Sequence, residues 1–85
     1  MNNFSEQVIA VVKGIPRGST LSYRNVAARA GFPGAARAVG SLMKRNHDDT
    51  VPCHRVIRSD GRVGEYNQGG SIAKERRLRE EGWRG

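Results

Sequence analysis

One cysteine, three prolines and five aromatic residues are all that this chain of 85 residues carries of the types that build disulfide frameworks, proline-rich segments and aromatic cores. A single cysteine excludes an internal disulfide. Together with His47 and His54 it is also too few for a closed zinc site, so no metal and no cofactor is expected. No apolar run approaches the roughly 20 residues a helix needs to cross a bilayer, and no secretory apolar segment is present. The expectation is a cytoplasmic protein, or a nuclear one in a eukaryotic source, with no membrane contact and monomeric when free. Acidic residues are scarce as well: 8 Asp plus Glu stand against 15 Lys plus Arg, a net charge of +7, and twelve of the basic residues are arginine. A polyanion is the natural partner for such an excess. An ordinary solvated basic surface is the alternative, because nucleic acid binding takes a patch and not merely a sum. The length allows one domain with a small core, residues 1–85, and no second fold beside it.

What is present is organised by helical periodicity. Phe4, Val8, Val11, Val12 and Ile15 recur at helical spacing, with Asn3 placed to cap and Glu6 three residues on, which predicts a first helix over 4–14 ended by Gly14 and Pro16. Pro16-Arg17-Gly18-Ser19 reads as a turn. Ser22 caps a second short helix whose inner side is Tyr23, Val26, Ala27 and Ala30, closed by Gly31. Pro33 opens a third helix, with Ala35, Val39, Leu42 and Met43 as its apolar stripe, running to about Arg45 and ended by Asn46. Two short helices joined by a tight Gly31-Phe32-Pro33 turn behind a longer one form a helix-turn-helix pattern, in which the second of the pair meets nucleic acid. Three-helix domains without that role share the spacing. The outer side of the third helix favours it, since Ala36, Gly40 and Ser41 are small enough to let a backbone approach a groove wall while Arg37 projects; Lys44 and Arg45 follow.

Beyond the polar loop His47-Asp48-Asp49-Thr50, Val56 and Ile57 suggest a short strand, Ser59-Asp60-Gly61-Arg62 a hairpin-like turn, and Val63 the start of a return strand. The glycine-rich segment 64–70 lacks the lysine and hydroxyl spacing of a phosphate loop. Ser71 is placed to cap a last helix to about Glu81, anchored by Ile72 and Leu78, with a Glu75 to Arg79 pair and Gly82 as its stop.

The lone cysteine sits in Pro52-Cys53-His54-Arg55-Val56-Ile57, beside a histidine and an arginine. Cysteine is the strongest side-chain nucleophile near neutral pH when a base or a cation raises its thiolate fraction. A small buried hydrophobe is the competing reading. Burial of such a thiol raises its pKa, and a helix dipole and His54 are the groups expected to oppose that. In a strand the Arg55 side chain points away from that of His54, which makes it a structural or phosphate contact.

The runs Ile15-Pro16-Arg17-Gly18, Leu21-Ser22-Tyr23, Ala35-Ala36-Arg37-Ala38-Val39-Gly40, the PCHRVI hexapeptide and Gly61-Arg62-Val63-Gly64-Glu65-Tyr66 together resemble the DNA-binding, active-site domain of O6-alkylguanine-DNA alkyltransferases, in order and in spacing. The resemblance covers essentially the whole chain. It implies a mainly α fold, a winged helix-turn-helix DNA-binding domain with a short β wing and a C-terminal helix, without the amino-terminal accessory domain many members carry. It also implies a methylated-DNA–protein-cysteine S-methyltransferase that acts on double-stranded DNA containing O6-alkylguanine, flips the damaged base and takes the alkyl group irreversibly onto Cys53.

Carried over residue by residue, His54 is the base acting through a water and Glu81 orients it, with Glu80 one register away. Tyr23 matches the phenol that protonates N3 of the guanine, and Arg37 the arginine that enters the vacated stack. Ala36, Gly40, Ser41, Lys44 and Arg45 belong to the DNA-facing helix. Asn46 resembles the asparagine that hydrogen-bonds the cysteine turn, across a loop one residue shorter. Val56, Tyr66 and Asn67 join Tyr23 in the pocket, Asn67 standing where the family usually has serine. Two other readings stay open: an alkyltransferase-like sensor that binds the lesion without transfer, against which Cys53 argues, and a plain winged-helix DNA-binding protein.

Overall fold

The computed structural model describes residues 3–64 and 69–85. Four helices carry the fold: α1 Phe4–Lys13, α2 Tyr23–Arg29, α3 Ala36–Arg45 and α4 Gly70–Glu80. Two short strands, β1 Leu21–Ser22 and β2 Val56–Ile57, and a 3₁₀ turn at Cys53–Arg55 complete it. The expected mainly α architecture is what is observed.

The caps explain where the first helices begin and end. The Asn3 side chain accepts from the Glu6 N–H at 3.3 Å and that of Ser22 from the Asn25 N–H at 3.0 Å, each satisfying one of the orphan donors of a first turn. After α2, the Phe32 N–H reaches the Ala27 carbonyl and the Gly31 N–H that of Ala28, a Schellman ending that needs the positive φ of Gly31, 93°. α3 starts three residues later than Pro33, because Gly34 adopts φ 90° within a turn closed by the Ala35 N–H on the Phe32 carbonyl. Helical φ is negative, so no helix passes through that residue.

The core is assembled from small side chains: Val8, Val12 and Ile15 from α1 and its exit, Val26, Ala27 and Ala30 from α2, Val39 and Met43 from α3, and Val51, Cys53 and Val56 from the segment after it. Phe4 and Phe32 pack edge to face at its rim, centroids 5.1 Å apart.

Strand pairing differs from the sequence expectation. The hairpin-like turn forms, with the Arg58 N–H on the Arg62 carbonyl at 2.8 Å, but among the described residues Val63 is not a strand. Instead β2 pairs in parallel with β1, Leu21 opposite Val56 and Ser22 opposite Ile57. That ladder fastens the entrance of α2 to the exit of the cysteine turn.

α4 also departs in register. Gly69, at φ 121°, occupies the position before the helix, and Ser71 lies exposed inside it and does not cap. Ile72 points outward at 77% exposure, while Lys74 and Leu78, four residues apart, face inward at 1% and 0%. Gly82 ends the helix as expected, with the Trp83 N–H on the Leu78 carbonyl and the Gly82 N–H on that of Arg79. The Glu75 to Arg79 pair forms on the exposed side at 3.7 Å.

Candidate active site

The loop between α3 and the cysteine is a chain of local hydrogen bonds. The Asn46 side chain donates to the Asp48 carbonyl at 3.2 Å, and Asp48 accepts from both the N–H and the hydroxyl of Thr50, at 2.9 and 2.7 Å. The Val51 N–H returns to the Asp48 carbonyl and the Cys53 N–H to that of Val51. Such Asx-type turns spend polar side chains on backbone groups that no helix or sheet satisfies. They deliver Cys53 to the core edge at 5% exposure.

The thiol lines a cavity of about 850 Å³ whose other walls include Tyr23, Gly40, Ser41, Met43, Lys44, Val63, Gly64 and Lys74. Burial pushes the Cys53 pKa up; a hydrogen bond from the Asn46 side chain and the charges of Lys74 and Arg77 work against it. The opposing groups are therefore Asn46 and Lys74, where the sequence pointed to a helix dipole and His54.

His54 is not among the residues lining the cavity; it is 2% exposed, its Nε2 3.0 Å from Glu81 Oε2. Glu81, at the end of α4, is the carboxylate that reaches it, and Glu80 is exposed. Arg55 holds the same carboxylate in a fork: Nε donates to Oε1 at 2.9 Å and Nη2 to Oε2 at 2.7 Å. Its Nη1 donates to the Ile15 carbonyl at 2.8 Å. Arg55, joined by His54, holds the Glu81 carboxyl down at about 2, so it is ionised throughout the neutral range. Burial lowers the His54 pKa despite that carboxylate. A neutral imidazole facing an ionised carboxylate carries its proton on Nε2, which leaves the Nδ1 lone pair free to accept another.

The structure gives Arg55 structural contacts and corrects only the expected direction of its side chain. Cys53–Arg55 is a 3₁₀ turn and not a strand, so successive side chains diverge by about 120°. His54 and Arg55 consequently converge on one carboxylate.

Lys74 is the residue the sequence reading missed. It is 1% exposed, donates through Nζ to the Tyr23 hydroxyl at 3.2 Å, and sits 5.4 Å from that ring's centroid. Burial lowers its pKa to about 8, and Cys53 acts in the opposite direction. A signal existed. Among the basic residues of α4 (Lys74, Arg76, Arg77 and Arg79) the buried one is the lone lysine, the cation that neutralises most readily when desolvated.

Of the other sequence candidates, Gly40, Ser41 and Lys44 line the cavity from α3, while Arg37 and Arg45 are exposed on the same helix and Ala36 is half-buried. Val56 is fully buried in the core beneath the ladder with Leu21, and is not among the residues lining the cavity. Tyr66 and Asn67 lie outside the described residues. Among the described residues no group of three or more His, Cys, Asp or Glu is arranged to hold a metal ion, and no helix is long and apolar enough to cross a membrane.

Residues 3–83 match the family described as 6-O-methylguanine DNA methyltransferase, DNA binding domain. The chain belongs to that family. A methylated-DNA–protein-cysteine methyltransferase of Methanothermobacter thermautotrophicus is 52% identical over 80 residues, covering 93% of this chain and 44% of the relative. The Mycobacterium tuberculosis OGT solved in complex with DNA superposes with a TM-score of 0.86 at 41% identity, over 93% of this chain and 49% of that one. S. pombe Atl1, solved with damaged DNA containing O6-carboxymethylguanine, gives 0.84 at 38% identity, over 96% and 78%. The chain thus spans less than half the length of the curated methyltransferase it matches and most of the length of Atl1.

Proposed function

We propose that this domain binds double-stranded DNA, flips an O6-alkylated guanine into the cavity, and transfers the alkyl group once and irreversibly to Cys53. One observation carries the reading: Cys53 lines a cavity together with Tyr23 and the buried lysine bonded to that phenol, and the next residue of its turn, His54, is paired with a carboxylate fixed by Arg55.

In this scheme His54 Nδ1 takes the thiol proton through a water, and the thiolate attacks the alkyl carbon. The S–C bond forms as the C–O6 bond breaks, its electron pair passing to the purine oxygen and ring. Tyr23 donates a proton to N3, so guanine leaves neutral, and Lys74 restores a proton to the phenolate. The product is a thioether with no hydrolytic exit, which makes each molecule a single-turnover reagent. Asn46 supports the turn and favours the thiolate. Arg37 fills the stack vacated by the base, offsetting the few kcal/mol that unstacking costs. Gly40, Ser41 and Lys44 border the entry, and Ala36 and Arg45 extend the contact along the helix. Tyr66 and Asn67 supply an aromatic wall and an O6 donor. Every group of the scheme falls within the one domain spanning 1–85.

A second reading, lesion binding without transfer, is favoured by how much of Atl1 the chain covers. Cys53 in the cavity wall weighs against it. The deciding experiment is intact mass after incubation with a duplex containing O6-methylguanine. A gain of one methylene equivalent on the Cys53 peptide, with loss of the lesion, is expected. An unmodified cysteine beside bound, intact lesion establishes the sensor.

A further inference from the structure

Glu81 carries one negative charge and two cationic or potentially cationic partners claim it: Arg55 through a two-point fork, and His54 through a single contact at 3.0 Å. A carboxylate with no other partner raises the basicity of a histidine beside it and holds the imidazolium at neutral pH. An imidazolium cannot accept a proton. Planar two-point pairing with a guanidinium is the stronger interaction, and arginine keeps its charge at every relevant pH.

We propose that Arg55 is a positioning residue that takes up the charge of Glu81, leaving His54 a hydrogen-bond acceptor for its Nε2–H but not the full field of an unpaired carboxylate, so that the imidazole stays a neutral base. The inference rests on the reading that His54 deprotonates Cys53. The geometry is built for it. The Arg55 bond to the Ile15 carbonyl anchors the fork to the exit of α1, so the guanidinium cannot follow the carboxylate if Glu81 swings toward His54 alone. The groups facing His54 are Glu81 from the end of α4, Arg77 from within α4, and Arg55 from its own turn. Both arginines oppose Glu81, and burial acts with them.

The test is an NMR titration of the two histidine rings in the full chain without DNA, with exposed His47 as internal reference. In Arg55→Met the midpoint of His54 rises by about one pH unit or more while His47 stays in place. Arg55→Met also loses the tie to Ile15; Arg55→Gln, which keeps a donor there, carries the same expectation if the first variant does not fold. Introduced beside Glu81→Gln, Arg55→Met raises the His54 midpoint less than it does in the parent, because no carboxylate charge is then released. A His54 midpoint that stays put in either folded Arg55 variant overturns the proposal. In alkyl transfer, the acid-side half-maximum moves to higher pH with His54 and activity recovers in alkali; a loss equal at every pH reduces Arg55 to a brace and also overturns it. The titration needs no substrate. A His54 shift as expected in a parent chain that transfers nothing counts against the alkyltransferase reading and not against the charge balance.

Discussion

Lys74 Nζ donates to the phenol oxygen of Tyr23 at 3.2 Å from a site that leaves the lysine 1% exposed, within the field of Cys53. Cys53 and Tyr23 thereby share one buried cation. In the proposed scheme its charge favours the thiolate before transfer, and its proton is available to the phenol during it.

Lys74→Met tests this wiring through two readouts that move in opposite directions. The folded pKa of about 8 lies below the ordinary 10.5, so the folded state binds fewer protons between those values and stability gains as pH rises through that window. The penalty present at pH 7 is on the order of 3 kcal/mol, and a methionine of similar shape removes it. Urea unfolding is expected to show Lys74→Met at least as stable as the parent at pH 7, with that advantage shrinking by pH 10. Alkyl transfer is expected to fall at least about tenfold, consistent with loss of a proton-delivery group. A variant that is both stable and fully active would leave Lys74 without a role.

Gly18 is where the turn after α1 touches the backbone of Glu81. Its φ is 83°, and a Cβ there would lie 3.0 Å from the Glu81 carbonyl oxygen. Gly34 has a similar φ, 90°, with nothing within 4 Å of the added carbon. Gly34→Ala therefore isolates backbone strain, about 1–2 kcal/mol. Gly18→Ala adds a push on Glu81 and through it on His54. Thermal unfolding of both variants, with single-turnover rates, is the check: both lose stability, Gly18→Ala more, and only Gly18→Ala slows transfer. Equal rates in the two variants would show that Glu81 tolerates displacement.

Local rules made much of this visible from sequence alone. Asn3, Ser22 and Gly31 specify caps whose chemistry is contained within a few residues, and the helices they bound appear where expected. The cysteine motif, Tyr23 and Glu81 were legible because their types and order resemble a family's. What stayed hidden depends on partners far apart in sequence. The fork from Arg55 to Glu81 spans 26 residues, the parallel pairing of Leu21 with Val56 spans 35, and the Lys74 to Tyr23 bond spans 51. Of the two apolar anchors that the sequence offers for α4, Leu78 is buried and Ile72 is not. The helix starts at Gly70 behind a Gly69 cap, two residues before the start that a Ser71 cap gives, and its inward face carries Lys74 and Leu78.

Glu81 should also govern the acid limit of the fold. Its side chain is 8% exposed and its pKa of about 2 lies below the ordinary 4.5, with Arg55 the main cause. A depressed carboxylate contributes stability that is complete above about pH 4.5 and is lost as pH falls toward 2. That contribution is on the order of 3 kcal/mol at neutral pH. Glu81→Gln is expected to lower stability at pH 7 and to flatten the acid limb between pH 4.5 and 2, read by denaturant midpoints across that range. An unchanged acid limb would place the controlling carboxylate elsewhere, Asp48 being next in line through its bonds to Thr50.

Arg37 stands exposed on α3, on the face that also presents Ser41 and Lys44 to the cavity rim. An arginine that fills a base stack is used only after the base has left, whereas one that binds phosphate is used on any duplex. Arg37→Ala is therefore expected to weaken binding to a duplex with O6-methylguanine more than to an undamaged one, with transfer slowed in proportion. Loss of a phosphate contact instead lowers both affinities alike and makes the dependence of binding on salt shallower by about one counterion. Titrating both duplexes at several salt concentrations separates the two roles in one series. Equal losses with a shallower salt slope would assign Arg37 to the backbone and leave the vacated stack to be filled by another residue.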